Sequence, residues 1–330
     1  MYFNIASAPC SFGINETTNW QEYSNLTFEE FLHITKDQGY DSFELGDNGF
    51  YPENALKIKE LIDKYNMRCN GIFVSFPLLA NTEKLKEQQI VGYKYLHKVC
   101  QILQKLATNS YVPYIIFSDS IHDTDRIDNT GNKYNKSYSK DDLYLVLKEL
   151  NNIQTTVKSY GLRLLYHQHA GTFFESFNEL LIILFKTEIN IVLDTGHFIY
   201  GLMHKYKNID MINQIIYRFI DKHHKRIELI HFKNVNHNIF HKYLEKSCKN
   251  KYNRLLQEGI FTNLNTEYGV LNINLILPLI IKYRWDIVIE QDIIDKYMLK
   301  KAEIISKSNI TYLNSNLNYQ LKKKQNISKL

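Results

Sequence analysis

The sequence predicts a (β/α)8 (TIM) barrel, and three observations predict it. Short β-rich runs alternate with longer apolar-periodic segments along the chain, eight such runs can be counted, and no Pro/Gly/Ser-rich linker divides the 330 residues. Alternation of this kind marks βαβ units stacked on a parallel sheet, and eight units fill roughly 250 residues or more. The expectation is a single barrel over residues 1–318, followed by a basic C-terminal tail at 319–330.

The eight runs are Phe3–Ala8, Ser42–Leu45, Cys69–Ser75, Tyr114–Ser118, Leu162–His167, Ile189–Asp194, Ile227–Phe232 and Asp286–Glu290. Between them lie segments such as Phe28–Asp37, Asn54–Tyr65, Glu83–Leu106, Asp141–Tyr160 and Phe177–Phe185, whose apolar residues recur at three and four, as in helices packed on a sheet. Gly39 and Gly161 stand where helices should stop. Two long polar stretches, His122–Lys140 and Asn234–Asn265, have the length of lids or binding loops.

Composition removes several classes of function. A hydrophobic fraction of 44% with 23% charged residues allows a sizeable core and argues against disorder. Of the net charge of +5, Lys322, Lys323, Lys324 and Lys329 carry four, so the body is near neutral. Basic residues are scattered, so nucleic acid is not an expected partner. Cys10, Cys69, Cys100 and Cys248 form no CxxC pair and read as free thiols. No basic-then-apolar leader opens the chain and no apolar run approaches the roughly 20 residues of a spanning helix. A cytoplasmic protein with no membrane partner is expected; whether it forms a homo-oligomer is left open.

Side chains at the C-terminal ends of barrel strands face the active site. Here those ends carry Glu44, Asp119, Tyr166 with His167 and His169, Asp194 with His197, His231 with Lys233, and Glu290-Gln291-Asp292. Any one has a structural reading: Asp194 in Asp194-Thr195-Gly196-His197 suits a helix N-cap. Together, carboxylates and imidazoles converging on one rim are donors for Mn²⁺, Co²⁺, Mg²⁺ or Zn²⁺. Glu290 and Asp292, two acids finishing one strand run, would repel unless a cation or an Arg or Lys neutralised them.

In order, Ala8-Pro9-Cys10-Ser11-Phe12-Gly13, Glu44-Leu45-Gly46, Gly71-Ile72-Phe73-Val74, Tyr166-His167-Gln168-His169-Ala170-Gly171-Thr172-Phe173-Phe174-Glu175, Leu193-Asp194-Thr195-Gly196-His197, Ile230-His231-Phe232-Lys233-Asn234-Val235 and Ile289-Glu290-Gln291-Asp292 follow one another over residues 1 to 300. The series resembles the inosose dehydratases of the xylose-isomerase-like barrel superfamily. That resemblance implies a divalent metal, Mn²⁺ or Co²⁺, with Asp194, His231 and Glu290 at the ligand positions. Many superfamily members carry a fourth ligand, a Glu, where this chain has Leu165; Glu175 is the expected replacement, with His167 or His169 as the alternative. The chain also departs from the pattern at Asn234, where an Asp is expected, and in Asn263–Gly269, where a Gly-rich segment is expected.

By the same resemblance the substrate is a small polyol ketone, 2-keto-myo-inositol, and the product a trihydroxycyclohexanedione. Losing water beside a ketone requires removal of an α-proton and protonation of a poor leaving group, with a Lewis acid at the carbonyl. His169 and His197 are the candidate acid and base, with the assignment between them open, and Lys233 is a candidate donor to the oxyanion. Glu44, Asp119 and His167 are expected to contact substrate, helped by Asp123 and Arg126, with Phe12 and Phe73 against a ring face. The rivals are a sugar isomerase or epimerase on the same barrel, and a sugar-binding or decayed relative without turnover. An apurinic endonuclease is disfavoured by ligand count and charge.

Overall fold

A computed structural model describes residues 3–14, 20–22, 24–120, 123–131, 137–243, 246, 248–294 and 299–327, with side chains to residue 321 in the last helix. Its strands are β1 Ile5–Ser7, β2 Ser42–Glu44, β3 Arg68–Phe76, β4 Tyr114–Asp119, β5 Arg163–His167, β6 Asn190–Asp194, β7 Ile227–Phe232, β8 Asn234–Val235, β9 Phe261–Thr262 and β10 Asp286–Ile289. Eight close into a barrel in the order β1-β10-β7-β6-β5-β4-β3-β2. Every neighbouring pair in it is parallel. The predicted (β/α)8 barrel is the observed fold, and its eight strands fall on the eight predicted runs.

The helices are α1 Phe28–Gln38, α2 Ala55–Tyr65, α3 Glu83–Leu106, α4 Thr124–Asp128, α5 Lys140–Ser159, α6 Phe177–Lys186, α7 Thr195–Met203, α8 Ile209–His223, α9 His237–Tyr243, α10 Lys251–Gln257, α11 Ile273–Tyr283 and α12 Ala302–Ile327. Their ends follow local chemistry. Thr27 and Ser176 start α1 and α6 through capping boxes with Glu30 and Glu179, and Gly39 stops α1 in the left-handed region at φ 98°. Helix α12 runs through residue 318, so the expected boundary between barrel and tail falls inside one helix. Among the described residues no helix is long and apolar enough to cross a membrane.

The two long polar stretches fold locally. Residues 124–128 of the first form α4, and part of the remainder lies outside the described residues. The second leaves the barrel as β8, passes through α9 and α10, and returns as β9, which pairs antiparallel with β8. This excursion lays Phe261 against the barrel mouth.

Ala6, Ala8, Tyr114, Ile116, Leu165, Val192, Leu229 and Val288 cluster separately from the apolar shell between strands and helices, as the filling of the barrel interior. At the N-terminal end Arg68 pairs with Asp286, donates to Asn70 Oδ1 at 3.1 Å and stacks 3.8 Å above the Tyr111 ring. Leu165 thus belongs to an apolar layer where a carboxylate would be stranded.

Candidate metal centre and active site

Side chains two residues apart on a strand point the same way. Two residues beyond Leu165, Val192, Leu229 and Val288 stand His167, Asp194, His231 and Glu290, so the four apolar residues of the interior are each followed by a polar one toward the mouth. Glu290 keeps this direction because its N–H continues the ladder, donating to Phe232 O at 3.1 Å. All four are buried, and one donor atom from each lies within 4.8 Å of the others. His167 Nε2 is 3.3 Å from Asp194 Oδ2, and His231 Nδ1 is 3.1 Å from Glu290 Oε2.

Asp194 combines a helix cap with a place in the cluster. Its Oδ1 caps α7 by accepting from His197 N at 2.8 Å, while Oδ2 faces the cluster. His231 is oriented by Glu44, whose Oε1 lies 2.9 Å from Nε2, leaving Nδ1 toward Asp194 and Glu290. Glu44 thus holds an imidazole through one oxygen while also lining the cavity above the cluster.

The donor set suits a divalent ion. Two imidazoles and two carboxylates are the mixed nitrogen and oxygen ligands of Mn²⁺, Co²⁺ and Zn²⁺. His167 Nδ1, His231 Nδ1 and Asp194 Oδ2 are buried and make no well-directed hydrogen bond. Buried polar atoms are normally satisfied, so the two of these that face the cluster, His231 Nδ1 and Asp194 Oδ2, leave room there for a further partner.

Glu175 takes no part in this cluster, and the expectation that it would is corrected by its bonds. Its carboxylate accepts from Gly131 N at 2.8 Å, Gly171 N at 2.6 Å and the Thr130 hydroxyl. It closes the loop after β5 onto the α4 region. His167, named first as a substrate contact and second as a ligand, occupies the place. The signal was available in the apolar-x-polar ending shared by Leu165-Tyr166-His167, Val192-Leu193-Asp194, Leu229-Ile230-His231 and Val288-Ile289-Glu290.

Other expected substrate contacts also prove to be anchors. Asp119 accepts from Leu78 N at 3.0 Å and Tyr138 OH at 2.8 Å. Asp123 caps α4. Arg126 is buried in bonds to Glu179 and Thr172 O, and Phe12 packs edge-on against Phe31 in the core. Phe73, in contrast, lines the cavity, with its ring 5.6 Å from that of His167.

That cavity, about 780 Å³, opens above the cluster and is lined by Glu44, Phe73, the four histidines, Lys233, Tyr252, Glu290 and Asp292. Lys233 is buried with Nζ 3.1 Å from Asp194 Oδ2, 3.1 Å from Glu290 Oε2 and 2.9 Å from Asp292 Oδ2. Burial alone would raise the Asp194 pKa, but Lys233 and His167 hold it down to about 2. Glu290 is likewise lowered against its burial, by His231 and Lys233. Burial, then Glu290 and Asp292, raise the Cys10 thiol, and none of the four cysteines is in a disulfide.

His169 and His197 lie side by side with ring centroids 4.0 Å apart. Their partners differ in kind. His169 Nδ1 is 2.9 Å from Ala170 O, which only accepts, so Nδ1 carries the proton and Nε2 keeps a lone pair. His197 Nδ1 accepts from Ala170 N at 3.1 Å, and this shorter bond, against the Lys233 Nζ contact at 3.4 Å to Nε2, favours the neutral tautomer with its proton on Nε2. Burial first, and then neighbouring histidines and Lys233, hold both rings neutral, His169 down to about 3.

Comparison with known proteins agrees with this architecture. A model of xylose isomerase-like TIM barrels matches residues 32–286. The inosose dehydratase of Bacillus licheniformis is 24% identical over 242 residues, covering 72% of this chain and 71% of that protein. Among solved structures, an L-ribulose 3-epimerase superposes with a TM-score of 0.62 at 13% identity, over 99% of this chain and 98% of its own. The IOLI protein, solved with a zinc atom, gives 0.63 at 11% identity, over 96% and 98%. With the family model spanning most of the barrel, the chain belongs to the xylose isomerase-like TIM barrel family.

Proposed function

We propose that this protein is a metal-dependent hydro-lyase of inositol catabolism that dehydrates 2-keto-myo-inositol (scyllo-inosose) to a trihydroxycyclohexane-1,2-dione. The observation that carries the choice of reaction is the pairing of His169 and His197. One imidazole offers a lone pair and its neighbour an N–H, with the two rings side by side. An epimerase must return a proton to the face opposite the one it was taken from, which calls for groups on both sides of the substrate. Adjacent acid and base serve one face, as elimination of water allows. The relatedness to inosose dehydratases supports the same reaction and names the substrate class.

His167, Asp194, His231 and Glu290 would hold a divalent ion, Mn²⁺ or Co²⁺, which supplies Lewis-acid polarisation of the ketone when bound. The IOLI protein's zinc is a precedent for a divalent ion on this fold. In this assignment His169 Nε2 takes the α-proton and His197 Nε2–H protonates the departing hydroxyl. Burial of both rings keeps them neutral and excludes bulk water from the proton transfer. Phe73 covers a ring face beside His167 and His169.

The test is turnover of 2-keto-myo-inositol by the Mn²⁺- or Co²⁺-loaded protein. Dehydration produces a dione with new ultraviolet absorbance and a mass lower by one water. A product of unchanged mass would make the enzyme an epimerase or isomerase, and no product with either metal would remove the proposed substrate.

A further inference from the structure

We propose that Lys233 is a built-in counter-cation that shares the carboxylate oxygens of the metal centre, holding the cluster together without a metal and weakening its grip on one. The proposal rests on the metal reading above and concerns how the site loads.

The Lys233 stem has one path. A Cβ on Gly196 would lie 2.7 Å from Lys233 Cγ and 2.8 Å from its Cβ, so only glycine there lets the stem pass. The backbone of Lys233 is pinned at both polar groups by the Thr195 hydroxyl, which accepts from its N at 2.9 Å and donates to its O at 2.7 Å. The ammonium is thereby delivered to the same two oxygens, Asp194 Oδ2 and Glu290 Oε2, that face the imidazoles of His167 and His231. Of its three carboxylate contacts only the one to Asp292, at 2.9 Å, is a well-directed hydrogen bond. The ring of Phe261 lies beside it, 5.0 Å from Nζ.

Two consequences follow from Coulomb's law in a buried site. Without a metal, Asp194, Glu290 and Asp292 would repel one another, and the ammonium offsets that repulsion. With a metal on Asp194 Oδ2 and Glu290 Oε2, a single and a double positive charge share those oxygens, and Asp292 keeps the ammonium from leaving. The outcome is a site that stays assembled when empty and exchanges its ion.

The experiment uses the full chain stripped with a chelator and titrated with Mn²⁺ alone, followed by calorimetry and by the electron paramagnetic resonance of free Mn²⁺. Lys233→Met and Lys233→Gln should bind Mn²⁺ about tenfold tighter or more, the direction that removing a like charge dictates. Lys84→Met, which removes an exposed ammonium from the cavity rim, should bind as the wild type does. Stripped Lys233→Met should melt below the stripped wild type, with the gap narrowing at saturating Mn²⁺. Should Lys233→Met fail to fold, Lys233→Gln carries the comparison. Measurable but equal or weaker Mn²⁺ affinity in the Lys233 variants overturns the counter-cation alone. Absence of binding by wild type and variants alike overturns the metal reading and this proposal with it.

Discussion

His231 and Glu44 meet across the barrel mouth, Nε2 to Oε1 at 2.9 Å, although 187 residues separate them. The bond joins β7 to β2 and fixes which imidazole nitrogen is left for the cluster. A carboxylate behind a metal-binding histidine sets its tautomer and raises its basicity, and loss of such a partner costs about 10- to 100-fold in metal affinity or activity. Glu44→Gln should lower divalent-metal affinity by about that range while leaving the fold intact by circular dichroism. Unaltered affinity would mean that His231 needs no such orientation.

Variants at His167 and Glu175 separate two of the three candidate fourth ligands. His167→Ala should yield protein that binds less divalent metal at equilibrium dialysis. Glu175→Gln should bind as much metal as the wild type, yet unfold at lower urea. Its amide nitrogen would replace one of the two oxygens and face the N–H of either Gly131 or Gly171, and a buried unsatisfied group costs about 1–3 kcal/mol. Metal loss in Glu175→Gln with unchanged stability would reverse the assignment.

His169 and His197 are expected to fail at different steps. His197→Gln should keep metal and substrate binding and lower turnover by ~10²–10⁴-fold, the usual worth of a general acid or base. In heavy water His197→Gln should still exchange the α-proton of the substrate, whereas His169→Gln should not. Exchange surviving in the His169 variant and vanishing in the His197 variant would swap the roles.

Arg68 offers a contrast from the opposite end of the barrel. It pairs with Asp286 and stacks on Tyr111 at the N-terminal face, where residues serve stability rather than catalysis. Arg68→Met leaves the part-buried Asp286 carboxylate its bond from Asn4 N but removes its ion pair, and should cost about 1–3 kcal/mol by denaturant unfolding. Turnover per folded molecule should be unchanged, and a fall in it would place Arg68 in communication with the mouth.

Much of this site was legible because a parallel barrel gathers its strand ends. Asp194, His231 and Glu290 could be named as neighbours without knowing any distance, since consecutive strands deliver them to one rim. The fourth member was harder to read, because Glu175 is an acid close by in sequence, whereas the alternation that sets Leu165 inward puts His167 above it. Asp119, Asp123 and Arg126 misled for a related reason. Their partners, such as Tyr138 and Glu179, lie in loops and neighbouring helices whose approach no spacing reveals. The strands of the excursion, β8 and β9, were hidden too, because each is two residues long and they pair in a sheet apart from the barrel.

Leu165, Val192, Leu229 and Val288 fill the barrel one step beneath His167, Asp194, His231 and Glu290, and one alternation dictates both layers. Sliding a strand by a single residue would turn both its floor residue and its cluster residue outward together. Insertions and deletions in these strands are therefore closed to evolution as small steps. New chemistry on this chain has to arise by exchange of single side chains at the rim, or by growth of excursions such as the one that carries Phe261, while the strands keep their count.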